Sequence, residues 1–377
     1  MKKYFTLICV TLFISTFMLP ANSLPTTSQS GSSRIIGLGG AAISISDNLN
    51  MQTMNPAALY FSTDSQFHAG LSYLDTYQLN GSSINGLEDL LDNPSVAIDI
   101  VFTTPGWYLG AYSDYFLTKN EFTKNESPQG VLSLDVARLN VVKAGIAFGI
   151  GSFSLGADIR ATKTSSLNSR MIGVDGDLIS IGAEFLQKIF FAEYGSGNKE
   201  TMEAGLGMMM DVGIFTFGIY SDKVIDFITE SGSGISIDVS RILQSLDFGI
   251  SLRTEEYTGA GNLRLAHLLV AADIKDIGDN INRILNLGLE GSLYFANRVS
   301  LALQLGYNQP LPDLNSVLSL GGNENGVYSV GVTSDLLFMT LNAAVILPYQ
   351  VLESVFDNST GNISGSVAGI ISFSFSL

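Results

Sequence analysis

The chain has 377 residues, of which 46% are hydrophobic and only 14% charged, with 35 acidic against 19 basic side chains and a formal net charge of −16. A charged fraction so far below the soluble norm of about 25% points to an apolar environment, and the acidic excess repels nucleic acid, so no nucleic-acid partner is expected. The single cysteine, Cys9, leaves no disulfide framework and no thiolate metal site.

The chain opens as a secretory leader. Lys2 and Lys3 precede an apolar run over residues 7–19, and Ala21-Asn22-Ser23 offers small residues where a signal peptidase cuts. Residues 1–23 are therefore expected to be a signal peptide, removed after Ser23, and Cys9 leaves with them. An exported chain without cysteine fits a bacterial envelope. Residues 24–65 follow as an N-terminal extension: a Ser/Thr-rich lead-in, then a glycine cluster at Gly37, Gly39 and Gly40, an acidic turn at Asp47-Asn48, and Asn55-Pro56-Ala57.

From residue 66 to 377 the pattern changes to period two. Candidate strands lie at 66–77, 95–104, 106–117, 130–138, 140–150, 152–162, 201–211, 213–221, 245–254, 262–274, 283–295, 298–307, 326–335, 337–347 and 366–377. In 285–295 the odd positions are mostly leucine and the even ones include Asn286, Glu290 and Ser292; the last segment alternates Ile371, Phe373 and Phe375 with Ser372 and Ser374. Such alternation places apolar side chains on one face and small or polar ones on the other. A soluble sandwich alternates too. Segments of about 9–11 residues suit a tilted membrane-spanning strand, and a face rich in Ser, Gly, Asn and Gln suits a wet or plugged lumen. Tyr73, Tyr77, Trp107, Tyr108, Tyr115, Tyr220, Tyr294 and Tyr307 fall near segment ends, where an aromatic girdle would lie. After the leader, the most apolar uncharged stretch is 336–352, which Asn342 and Pro348 interrupt, so no spanning helix is expected. Apolar composition without spanning helices leaves the closed barrel. A bacterial single-chain barrel has an even strand number; fusing 130–138 with 140–150 reduces the fifteen segments to fourteen. Residues 178–193 and 236–246 carry apolar positions at helical spacing and read as loop helices.

Little in the chain points to chemistry. His68 and His267, the only histidines, lie in alternating segments and in no metal-binding spacing. Gly37-Leu38-Gly39-Gly40-Ala41-Ala42 fits a dinucleotide fingerprint, but no βαβ unit follows it. Asp273, Asp276 and Asp279, like Asp175 and Asp177, could offer oxygen to Ca²⁺, yet neither group matches an EF-hand loop and both read as solvated turn carboxylates. No catalytic residue, metal or cofactor is expected, and the chain does not read as an enzyme.

The glycine cluster, the acidic Asp47, the eight-residue step to Asn55 and the Asn55-Pro56-Ala57 that follows resemble the start of the FadL family of outer-membrane transport proteins. Asn48 and Ala58 depart from the pattern, where relatives carry an acid and a glycine. The resemblance implies an all-β fold: a transmembrane antiparallel barrel of about fourteen strands in the bacterial outer membrane. Its N-terminal hatch, plugging the lumen, would be shaped or gated by Gly37, Gly39, Gly40, Asp47, Asn55, Pro56 and Ala57. It also implies passive uptake of hydrophobic small molecules such as long-chain fatty acids, by a monomer embedded in outer-membrane lipid. The alternative is a PorV-like structural or secretion-associated barrel without transport activity. In physical terms the glycines allow close backbone approach, and Pro56 would end a local element with a bend.

Overall fold

The structure is a computed structural model describing residues 33–46, 52–80, 95–124, 130–173, 184, 187–188, 199–229, 232–254, 264–279, 281–296, 299–311, 326–349, 351 and 364–376. The expected leader, Asp47, and Asp175 and Asp177 lie outside these residues, as does most of 178–193.

Fifteen strands follow one another: β1 (Gln66–Asn80), β2 (Ser95–Thr104), β3 (Trp107–Lys124), β4 (Gly130–Ile150), β5 (Phe153–Gly173), β6 (Lys199–Val212), β7 (Phe215–Thr229), β8 (Gly232–Ser236), β9 (Leu246–Arg253), β10 (Arg264–Lys275), β11 (Ile284–Ala296), β12 (Val299–Pro310), β13 (Val327–Leu336), β14 (Met339–Pro348) and β15 (Ser364–Ser376). Each pairs antiparallel with its neighbours, β1 pairs with β15, and β7 pairs with both β6 and β9. β8 only folds back on the end of β7. The remaining fourteen strands close a barrel with no free edge. Residues 130–150 form one strand, as the even-number argument requires.

The alternation resolves into an outside and an inside. The outward row of β4 includes Val142, Ile146 and Phe148, exposed by 51, 59 and 63%; Leu303 and Leu305 do the same on β12. The opposite row carries Lys143 on β4 and Gln304 on β12, both buried. An apolar exterior and polar interior are what lipid outside and a filled lumen inside demand. Among the described residues no helix is long and apolar enough to cross a membrane.

The two ends differ. Residues 105–106, 151–152, 213–214 and 337–338 make two-residue turns at one end, with Gly106, Gly151 and Gly213 at positive φ as tight hairpins favour. Most longer connections gather at the other end, the 254–263 link between β9 and β10 excepted. Several strands run past their sequence-read limits there, β5 to Gly173 and β3 to Lys124. These extensions are rich in Thr, Ser, Asn and Lys and carry no sustained alternation, so period-two reading cannot see them. The amphipathic reading of 236–246 becomes a short helix, Val239–Gln244, with no buried residue.

Two sequence readings are corrected. Tyr108 and Tyr220 are buried rather than lipid-facing, exposed by 1 and 5%. Tyr108 and Tyr220 instead point their hydroxyls at Asp158 inside the lumen. Asp273 is no solvated turn carboxylate: it is buried on β10. Asp279 does lie in a turn, where the Ile281 N–H holds its carboxyl below the usual range. No metal cluster occurs among the described residues.

A charge on the outer belt tests the orientation. Leu303→Arg, at the middle of β12, is expected to destabilise the barrel by about 2–4 kcal/mol, and Leu337→Arg at a turn tip by about 1 kcal/mol or less. Urea titration of protein folded into liposomes measures both; equal costs would mean the apolar row does not face lipid.

Candidate functional site

Residues 33–46 and 52–61 lie inside the barrel, almost wholly buried. They begin with a one-turn helix, α1 (Ser33–Gly37), packed on β12 to β15, and end in a 3₁₀ turn (Pro56–Phe61) against β3 to β6. Apolar side chains bury themselves in gaps of the polar wall. Ile36 enters a patch of Leu74, Ala344, Ile346, Ala368 and Ile370. Ile35, Leu38, Ala42 and Met54 gather with Leu269 and Ala271 of β10.

Polar contacts fix the register of this segment. The Arg34 guanidinium is bidentate to the Glu290 carboxylate at 2.7 and 2.6 Å, both side chains buried. Glu290 also accepts from Gln304 at 3.0 Å; Gln304 donates to Thr333 (3.0 Å), Thr333 to Asn342 (2.6 Å) and Asn342 to Ser372 (3.3 Å). The Ser372 hydroxyl lies 2.7 Å from that of Ser33. This belt crosses five adjacent strands and returns to the residue beside the one where it began. Next to the belt, on β10, Asp273 accepts from the backbone N–H groups of Ala42 (2.5 Å) and Ile43 (2.9 Å). Lys143, paired with Asp158 at 2.8 Å, donates to the Thr53 carbonyl at 2.5 Å.

The expected hatch residues fall in two groups. Gly39 and Gly40 adopt φ of +66° and +93°, a conformation costly for other residues. A Cβ on Gly39 would lie 2.6 Å from the Tyr307 nitrogen, and one on Gly37 would lie 3.2 Å from the Gly331 Cα. The wall answers with glycine: Gly306 abuts Gly39, Gly288 abuts Leu38, and Gly218 abuts the Ile43 carbonyl. Inward glycines in the strands therefore mark where the segment presses, a signal present in the sequence as small residues on the polar face.

Asn55-Pro56-Ala57 starts an element rather than ending one. Asn55 is extended (φ −135°, ψ 107°) and caps the 3₁₀ turn, its side-chain oxygen accepting from Ala57 N–H at 3.1 Å. Proline suits a first helical position, where its missing N–H goes unneeded and the preceding residue is extended. The Asn55 amide, 0% exposed, donates to the carbonyls of Ile43 (3.0 Å), Met208 (3.3 Å) and Ile219 (3.4 Å). One side chain thus ties both halves of the segment to β6 and β7. Pro56 and Ala57 crowd Gly156, and the Ala57 carbonyl accepts from Ser154 at 2.9 Å.

On the long-loop side of this segment lies a cavity of about 470 Å³. Its floor holds Met54, and its wall comes from β4 to β7, β9 and β10. Arg160 spans it, reaching Glu203 on β6 at 2.5 Å and Asp222 on β7 at 2.9 Å. The β6–β7 pairing is irregular here, with residues 222–224 of β7 outside the ladder. Sequence reading missed this cavity because its lining is drawn from separate strands. His68 is lumenal too, its Nε2 2.7 Å from the Asp99 carboxylate, on another part of the wall.

A closed fourteen-strand barrel whose N-terminal segment is folded into its own lumen defines a plugged β-barrel. Among solved structures, the toluene transporter TbuX of Ralstonia pickettii aligns with a TM-score of 0.50 at 11% identity, over 90% of this chain and 97% of that one. The Pseudomonas putida toluene transporter TodX aligns at 0.45 and 12%, over 91% and 97%, and a Pseudomonas aeruginosa FadL homologue at 0.43 and 12%, over 96% and 99%. No family model and no curated protein matches the sequence. The chain thus shares the plugged-barrel fold of TbuX.

The Arg34–Glu290 pair gives a direct test of how the segment is held. Glu290→Met removes the bidentate carboxylate partner of a buried guanidinium and is expected to cost about 3–5 kcal/mol. The double variant Arg34→Met/Glu290→Met should recover most of that loss. The urea midpoint of the folded barrel and protease sensitivity of residues 33–61 report it; additive losses would show that the pair does not couple.

Proposed function

We propose that the protein is an outer-membrane channel for passive uptake of hydrophobic small molecules in a bacterial envelope. Long-chain fatty acids are the first class to consider. In this reading residues 1–23 are the export signal, 24–65 the hatch and 66–377 a barrel working as a monomer in outer-membrane lipid. The carrying observation is a lumen closed by its own folded segment, directly beneath a cavity on the long-loop side. In bacterial outer-membrane barrels the long loops face outward, so the cavity would meet a solute before the segment does. TbuX, described as a toluene transporter, shares the fold and lends support to the reading.

The hatch would yield at its Asn55 end. Gly37, Gly39 and Gly40 shape its first half; Asp47, outside the described residues, belongs to the same proposed hatch set. Asn55, with Pro56 and Ala57 fixing its backbone, holds β6 and β7 through neutral hydrogen bonds, each of modest net strength. One observation favours the other reading, a PorV-like barrel without transport: the Arg34–Glu290 pair and its belt hold α1 firmly.

Purified protein should release bound acyl chains on lipid extraction and bind fatty acids by calorimetry. No bound acyl chain and no binding at any chain length would overturn the uptake reading. In proteoliposomes, Asn55→Ala should change the uptake rate about tenfold, corresponding to ~1.4 kcal/mol of lost hatch anchorage. An unchanged rate in a correctly folded barrel would favour the structural barrel.

A further inference from the structure

The cavity above Met54 is lined by eight charged residues, four of each sign. Four of them are spoken for. Lys143 pairs with Asp158, and Arg160 pairs with Glu203 and Asp222. The other four are Lys223 on β7, Asp247 on β9, and Lys275 and Asp276 at the end of β10. Among the described residues none of these four forms an ion pair with another side chain; the Asp247 carboxylate accepts only the Asp276 backbone N–H, at 2.9 Å. All four are half-buried. They come from three neighbouring strands and leave two basic and two acidic side chains facing the same space. Beside them Met54, Leu139 and Val141 supply an apolar surface.

A ligand entering this space displaces the water that solvates those charges. A plain hydrocarbon would replace it with nothing, which is unfavourable for every charge left unpaired. A carboxylate could meet Lys223 or Lys275 but would bring its charge against Asp247 and Asp276. An alkylammonium has the mirror-image problem. A head carrying both an ammonium and an acid group satisfies both pairs through charge-assisted hydrogen bonds, and unmatched charges discriminate against the other heads.

We propose that this cavity is a head-group site for zwitterionic amphiphiles, with the apolar tail lying on Met54, Leu139 and Val141. The proposal rests on the uptake reading and narrows its solute class from hydrophobic molecules in general to those with an amphoteric head.

The test uses full-length protein in lipid nanodiscs, with empty nanodiscs as blank, and four probes that share an octyl chain: octan-1-ol, nonanoate, octylammonium and 2-aminodecanoate. Calorimetry should find 2-aminodecanoate bound about tenfold tighter than nonanoate or octylammonium, one added charge-assisted contact's worth. Octan-1-ol should bind more weakly still. Lys275→Met should bring 2-aminodecanoate down to the octylammonium level, and Asp247→Asn to the nonanoate level, with correct folding checked by gel mobility before and after heating. Equal affinity for all four probes, or nonanoate binding tightest, would overturn the head-group site and leave the uptake reading standing. Unchanged affinity in both variants would overturn the location. If no probe binds, the head-group site fails, while the uptake reading is decided separately by the fatty-acid measurement across chain lengths.

Discussion

The interior is organised by the ion pair between Arg34 and Glu290, residues 256 positions apart. A guanidinium and a carboxylate removed from water are tolerable only when paired and when their remaining hydrogen-bonding capacity is met. For the carboxylate that capacity is met in the wall itself. Glu290 sits opposite Gln304 across β11 and β12, Thr333 opposite Asn342 across β13 and β14, and Asn342 opposite Ser372 across β14 and β15. The barrel register therefore decides whether the belt can form. A slip of one residue would turn every member outward into the apolar band. The N-terminal segment and the strand register specify each other.

That dependence explains the division of residue types. The outer face needs only to be apolar and can repeat Leu, Ile, Val and Phe freely. The inner face must match one particular backbone, so it carries glycine where α1 and the following turn approach and serine where a carbonyl needs a donor. Ser329 donates to Gly37, Ser251 to Ser44 and Ser154 to Ala57. What looks in the sequence like a bland small-residue face is a mould of residues 33–61.

This asymmetry also sets how much could be read in advance. The outward rows of β11, β12 and β15 were legible because lipid imposes one simple rule at every second position. The strand count was legible because closure forbids an edge, which merged 130–138 with 140–150. The segment's glycines and Asn55 were legible as a motif by resemblance, though Asn55 was assigned to the end of an element when it caps the start of one. The partners were not legible. Nothing local marks Glu290 as the mate of Arg34, Asp273 as the acceptor for two N–H groups, or Tyr108 and Tyr220 as lumen residues. Each is a polar or aromatic residue in an alternating strand, and its meaning comes from what lies across a lumen that periodicity does not describe. The cavity was hidden for the same reason, assembled as it is from six strands and one methionine.

The methionine joins the cavity to the latch. Met54 forms the cavity floor, and the next residue, Asn55, donates to β6 and β7. The preceding carbonyl, that of Thr53, is held by Lys143, which lines the same cavity. Under the uptake reading, a solute seated on Met54 therefore bears on a residue flanked on both sides by the contacts that keep the lumen shut. It also lies beside residues 222–224, where the β6–β7 ladder is already interrupted. A ligand can shift an equilibrium only by the difference in its affinity for the two states. The charges that would grip a polar head and the backbone contacts that would have to give way share one wall, so binding and release of the segment would be coupled through a single peptide unit and need no long pathway.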